Sequence, residues 1–232
     1  MKAVILAGGL GERISSIYPD TIKSLIEFNG KPFIEYQLGL LRKNNFKEIV
    51  ICAGYGAEKL ENYFDNNRFD DIDIKLIKDG DKQLGTGGAI KNALPFLGSN
   101  FMVIYGDSYL DFSYKNAIHK FLLSGKLALM TIYHNENKYD RSNIRYSRDR
   151  IASYNKINPD KRYKYIDYGA NFFSANCFID TPNIFDLSFL QRELINKKMM
   201  ACEIVTDRFY EIGSEKGIDE FKRLARSLHV RS

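Results

Sequence analysis

Three stretches of this 232-residue chain place residue types at spacings suited to chemistry on phosphates. The first is Leu6-Ala7-Gly8-Gly9-Leu10-Gly11-Glu12-Arg13, which directly follows the apolar run that starts at Lys2. Glycines at 8, 9 and 11 let a backbone approach a ligand closely, and successive N–H groups can form a concavity for an anion. Arg13 adds a forked cation that matches phosphate oxygens. The spacing is neither the G-x-G-x-x-G of dinucleotide sites nor a P-loop, which ends in Gly-Lys-Ser/Thr. Taken alone, a flexible turn explains the loop about as well.

The second stretch, Gln83-Leu84-Gly85-Thr86-Gly87-Gly88-Ala89-Ile90, reads as a glycine turn feeding a helix N-terminus. Free N–H groups and the helix dipole suit a polar ligand there, while close helix-to-sheet packing would also call for glycine. In the third, Val103-Ile104-Tyr105-Gly106-Asp107-Ser108, an apolar strand ends in a carboxylate. Such an Asp can hold Mg²⁺ with water and phosphate oxygens completing its shell, or can simply cap a turn. Asp111 is a second, weaker candidate. His119, His134 and His229 are scattered, and no Ser-His-Asp or Cys-His constellation is evident.

Composition narrows the partners. Hydrophobic residues make up 44% and charged residues 27%, an ordinary globular balance, and no apolar run approaches the ~20 residues of a membrane span. Cys52, Cys177 and Cys202 are odd in number and far apart, which suits free buried thiols in a reducing cytoplasm. The formal charge of +5 is concentrated between Lys138 and Lys164, where nine Lys/Arg face three Asp/Glu. That field suits an anionic ligand or a merely solvated surface. No zinc-finger spacing or RNA-binding aromatic motif points to nucleic acid. The oligomeric state stays open, a homo-oligomer included.

Strands and helices must alternate to bring these stretches to one sheet edge. Strands are expected at 2–7, 49–53, 72–77, 101–105 and 127–133, with helices at 57–64 and 113–124. A further helix opens at Pro32, carries Phe33, Tyr36, Leu40 and Leu41 on one face, and ends at Asn44-Asn45. Thr86 is expected to cap another, running to about Leu97. This rhythm is that of an α/β fold, Rossmann-like, with a mostly parallel sheet flanked by helices. Residues 134–185 read as a small lobe of short strands at 143–147, 150–155 and 172–179. Helices at 187–198 and 214–227 follow, with a strand at 208–212 between them. The expectation is one domain in two parts, 1–133 and 134–232.

Leu6 to Arg13, with Lys23 and Lys31-Pro32, resembles the signature of the sugar-phosphate nucleotidyltransferase family, L-A-G-G-x-G-T-R-L followed by P-K-P and a further K-P. Glu12 stands where Thr is usual, and Ile22-Lys23-Ser24 where P-K-P is usual. The resemblance implies a Mg²⁺-dependent enzyme joining an NTP to a sugar 1-phosphate with loss of pyrophosphate. It implies catalytic roles for Arg13, Lys23 and Asp107, and nucleotide contacts at Leu6, Ala7, Gly8, Gly9, Gly11, Gln83, Gly87 and Gly88. Asp107 and Glu211, in the segment Phe209-Tyr210-Glu211-Ile212-Gly213, are the implied metal ligands, with Glu211 replacing the usual Asp. Lys156 and Gly169 fall in segments that are similar to those holding the sugar phosphate. The chain most resembles bacterial heptose 1-phosphate guanylyltransferases and amino-sugar phosphate uridylyltransferases, which supply nucleotide sugars for cell-surface polysaccharides. GTP is favoured slightly over UTP or CTP. An inactive, nucleotide-sugar-binding regulatory relative is the reading of a different class.

Overall fold

The computed structural model describes residues 1–9, 14, 17–19, 21–80 and 82–229. The chain runs through β1 (Lys2–Leu6), a short hairpin of β2 (Glu27–Phe28) and β3 (Lys31–Pro32), α1 (Phe33–Lys43), β4 (Glu48–Ala53), α2 (Ala57–Asn66), β5 (Asp73–Lys78) and α3 (Gly85–Ala93). Next come β6 (Asn100–Tyr105), β7 (Ser108–Tyr109), α4 (Tyr114–Leu123), β8 (Ala128–His134), β9 (Ile144–Ser147), β10 (Arg150–Tyr154) and β11 (Tyr165–Ser174). They are followed by α5 (Leu187–Asn196), β12 (Met200–Val205), β13 (Tyr210–Glu211) and α6 (Glu215–His229).

β1, β4 and β6 are almost continuously apolar. A strand covered on both faces has no polar side to present, so these runs take the middle of a parallel sheet. β1 lies between β4 and β6, parallel to both, and β5 extends the sheet beyond β4. On the other side β11 enters antiparallel against β6 and β8, and β12 closes that edge parallel to β8. The result is a mostly parallel sheet flanked by helices, with the β9–β10 hairpin appended through β11.

Alternate side chains of β1 sort the core into two layers. Ala3 and Ile5 meet Ile34 and Leu38 of α1, Leu60 of α2 and Phe121 of α4. Val4 and Leu6 meet Ile90 of α3 and Leu187 and Leu190 of α5. A third cluster seats α6 on the far side of α1: the Phe221 ring packs edge-on against Phe28, Phe33 and Tyr36 at centroid distances of 4.8, 4.9 and 5.2 Å.

Several sequence expectations need correction. α3 starts at Gly85 and stops at Ala93, well short of Leu97, because Pro95 tightens the chain into a 3-10 turn. Thr86 lies inside that helix and does not cap it; its hydroxyl donates to Asp186 at 3.1 Å and accepts from the Leu187 N–H, at the start of α5, at 2.8 Å. The strand expected at 172–179 is instead β11, which begins at Tyr165, ends at Ser174 and sits within the main sheet, whereas the short strands expected at 143–147 and 150–155 are β9 and β10. Polar residues Asp167 and Asn171 disguise β11, and its pairing with β8 shifts register between them. β12 and the β2–β3 hairpin had no sequence signal, and the strand at 208–212 shrinks to a two-residue bridge with β7.

One tight interlock joins distant parts of the chain. The Phe185 carbonyl accepts from the N–H groups of Gly87 and Gly88, and the Phe185 N–H donates to the Leu84 carbonyl. A Cβ on Gly88 would stand 2.3 Å from the Asn183 carbonyl oxygen. Gly88→Ala is expected to lower stability by about 1–3 kcal/mol, the usual cost of overpacking, as read by urea denaturation. Phe221→Ala should cost about 3–5 kcal/mol in the same assay, since it empties the centre of the α6 cluster.

Candidate functional site

A cavity of about 350 Å³ opens at the carboxyl ends of β1, β4, β5 and β6, the edge where ligands of open α/β sheets bind. The strand ends are tied together there. Leu6 pairs with Cys52 and with Tyr105. Beyond the ladder, the Ala7 N–H donates to the Cys52 carbonyl at 2.8 Å and the Gly106 N–H to the Leu6 carbonyl at 3.0 Å. Leu6, Ala7, Gly8 and Gly9 line the cavity. Gly11 and Arg13 lie outside the described residues.

Lys23 and Asp107 meet inside it. Lys23 sits on a 3-10 turn (Lys23–Leu25), Asp107 follows β6, and the ammonium stands 3.1 Å from the Asp107 carboxylate. Their side chains are 17% and 30% exposed, so the pair keeps a charged group of each sign at the cavity wall, where water screens it only partly. The Asp107 carbonyl accepts from the Ile212 N–H at 2.9 Å, which holds β13 and its Glu211 beside the turn.

Glu211 bonds to its own neighbours in the chain. One carboxylate oxygen accepts from the Gly213 N–H at 2.6 Å and the other from the Ser214 hydroxyl, so the side chain satisfies the start of α6. Among the described residues no group of three or more His, Cys, Asp or Glu side chains converges. The donor set therefore fits a hard divalent cation in part. Asp107 offers a carboxylate at the cavity, and Mg²⁺ characteristically takes one or two protein carboxylates plus phosphate and water.

The remaining expected residues separate. Gln83 lines the cavity. Gly87 and Gly88 do not; their N–H groups are taken by Phe185, and the Phe185 ring lies where a Cβ on Gly87 would stand. This is the packing use of glycine. Lys156 is exposed at the rim, its ammonium 5.3 Å from the centroid of the cavity-lining Tyr105 ring. Gly169 occupies the shifted stretch of β11 with φ +105, a conformation other residues resist, and a Cβ there would lie 3.6 Å from Ser108 Oγ.

Four further titratable residues line the cavity: Asp79, Asp186, Tyr105 and Cys52. Asp79 follows β5, and burial raises its carboxyl above the ordinary value despite the bond it accepts from the Leu84 N–H. Its place after a parallel strand is the same signal that marked Asp107. Asp186 caps α5 by accepting from the Ser188 N–H at 2.8 Å. Burial pushes its carboxyl up, but Ser188, the Lys156 charge and Thr86 outweigh that and hold it below the ordinary value. The Asp-Leu-Ser spacing before an apolar helix was a legible cap. Tyr105 stays neutral because burial and the nearby Asp167 carboxylate raise its pKa strongly. The Cys52 thiol, pushed up to about 12 by burial and then by Asp79, is no nucleophile at neutral pH.

Behind Tyr105 lies Asp167, on which polar groups of four elements converge. One oxygen accepts from the Gly169 N–H at 3.1 Å and from Asn171 at 3.2 Å; the other receives longer bonds from Tyr105, Tyr154 and Gln191. The network links the cavity wall to β10, β11 and α5.

Comparison with known proteins agrees with this architecture. A D-glycero-α-D-manno-heptose 1-phosphate guanylyltransferase of Campylobacter jejuni is 32% identical over 229 residues, covering 92% of this chain and 95% of that protein. Among solved structures, HddC from Yersinia pseudotuberculosis superposes with a TM-score of 0.81 at 24% identity, covering 96% of this chain and 98% of its own; it is also known in complex with GMP-PN. The inositol-1-phosphate CTP transferase from T. maritima gives 0.81 at 18% identity, over 97% and 94% of the two chains. At those identities the two structures speak for the fold alone. The nucleotidyl transferase family matches residues 2–142, and with that match and the near full-length Campylobacter relative this chain belongs to the nucleotidyl transferase family.

Proposed function

We propose that this chain transfers GMP from GTP to D-glycero-α-D-manno-heptose 1-phosphate, releasing pyrophosphate and forming the GDP-sugar, with Mg²⁺ and in the cytoplasm. The observation that carries the substrate choice is the Campylobacter match, which extends over nearly all of both chains. The residue arrangement supports the reaction type. A phosphate oxygen of the sugar 1-phosphate attacks the α-phosphorus in line, a P–O bond forms, and the bond to the pyrophosphate breaks. The attacking group is already an anion, so neither a covalent nucleophile nor a strong base is needed, and positioning with charge control carries the catalysis.

In this reading the residues divide the task as one unit, with 1–133 on the nucleotide and 134–232 contributing the sugar phosphate side. The loop with Gly8, Gly9, Gly11 and Arg13 meets the β- and γ-phosphates. Lys23 steadies the α-phosphate or the attacking phosphate, and Gln83 faces the base. Gly87 and Gly88 act from behind by locking α3 onto 183–185. Lys156 meets the acceptor phosphate, and Gly169 leaves room for sugar hydroxyls beside Ser108. Asp107 would hold the metal, which supplies charge neutralisation at the phosphate oxygens when bound.

One observation favours a second reading, an inactive nucleotide-sugar-binding relative: the Glu211 carboxylate accepts from the neighbouring Gly213 N–H and Ser214 hydroxyl. Pyrophosphate release from a panel of NTPs and sugar 1-phosphates with Mg²⁺ separates the two. GTP with the heptose 1-phosphate is expected to be fastest. A faster UTP or CTP pair would move the base assignment, and no release from any pair beside tight nucleotide-sugar binding would establish the inactive reading.

Asp107→Ala is expected to cut turnover at least about 100-fold, the scale of losing one well-placed charge-stabilising group, while the melting temperature stays close to wild type. Wild-type turnover in that variant would remove Asp107 from the chemistry. GTP at about 100 times its Kd should stabilise the folded protein by about 2.7 kcal/mol, visible as a rise in melting temperature; no rise with GTP and a clear one with another NTP would reverse the base preference.

A further inference from the structure

We infer that Gln37, on α1, is the positioning residue for Asp107: one buried amide ties the carbonyls on both sides of the Gly106-Asp107 turn and so fixes where the Asp107 carboxylate stands relative to Lys23. The inference rests on the reading of Asp107 as the group that meets metal or phosphate.

The turn's polar groups can be followed one by one. Gly106 donates to Leu6, and the Asp107 carbonyl accepts from Ile212. The Tyr105 and Ser108 carbonyls both accept from Gln37 Nε2, at 2.9 and 2.8 Å. β11 pairs with β6 only as far as Ala170 opposite Ile104. From Tyr105 onward β6 has left that neighbour, and Gln37 supplies the donor in its place.

A primary amide carries two donors on one nitrogen, and Gln37 uses both on this turn. Turned over, it would set its own oxygen against two carbonyl oxygens, so only one orientation is permitted. That orientation has a cost. Gln37 is 1% exposed, and its Oε1 is buried with no hydrogen-bond partner among the described residues. Met or Leu would fill the space on α1 without stranding an oxygen, but neither could clamp the two limbs of the turn. The other tie from α1 to this region, Lys43 with Asp111 at 3.5 Å, is largely exposed and contributes little rigidity.

The test compares wild type with Gln37→Met, Gln37→Glu, Asp107→Asn and the double variant Gln37→Met/Asp107→Asn. Steady-state pyrophosphate release is read together with hydrogen exchange of the ligand-free proteins. Gln37→Met is expected to lower kcat by up to about 100-fold, the scale for a misplacement of about 1 Å, and to leave KM for GTP within about threefold. Exchange should accelerate in the peptide spanning 105–110 and stay unchanged in β1 and β4. The double variant should fall no further than Asp107→Asn alone, because residues acting through one another are not additive. Equal losses in both backgrounds, or wild-type kcat in folded Gln37→Met, would overturn the inference while leaving Asp107 in place. Should Gln37→Met not fold, Gln37→Glu decides. Buried and neutral, it donates one of the two bonds, so kcat should fall by less than in Asp107→Asn; an unchanged kcat would overturn the inference equally. Wild-type turnover in Asp107→Asn would overturn the site reading and this inference together.

Discussion

The registered ends of three parallel strands are the constraint on which the rest of this structure depends. Leu6 has Cys52 on one side and Tyr105 on the other, and the first residues past the ladder keep bonding across it. Backbones brought this close leave little space. A Cβ on Gly106 would stand 2.6 Å from the Leu6 carbonyl oxygen. With the strand ends locked, the loops after β1 and β6 have fixed origins, and Lys23 and Asp107 can meet although 84 residues separate them.

Two supports keep that edge open for a ligand. On one face of the sheet α1 packs through Ile34, Leu38 and Leu41 and presents Gln37 to the turn after β6. On the other, α3 and α5 are joined by the interlock around Phe185, which sets Thr86 and Asp186 side by side in the cavity wall. The bond from Thr86 to Asp186 does for the wall what a helix cap alone could not, because it links two helix starts rather than finishing one.

The first half of the fold was legible because its strands are short, apolar and bounded by glycine, Asn or Asp, so that burial and sequence pattern coincide. The beginning of α1 at Pro32 and its end at Asn44-Asn45 followed the same local rules. β11 was only partly legible. It carries Asp167, Gly169 and Asn171 through a buried sheet position, and only the network that satisfies most of their polar atoms makes a strand there tolerable. Within the site, Lys23 and Asp107 could be read from motif and strand end, whereas the orientation of Glu211 could not. Whether a carboxylate faces a cavity or the adjacent helix depends on Gly213, Ser214 and the close approach of Gly217, which is a tertiary matter.

The interlock at Phe185 also bears on when the site comes into being. Residues up to Tyr105 complete the parallel centre of the sheet, but the cavity wall draws on Asp186, about 80 positions later in the chain. During synthesis from the N-terminus, this cavity therefore lacks part of its wall until α5 has emerged and its first turn has closed on Thr86. The cavity is complete only after most of the chain has already been made.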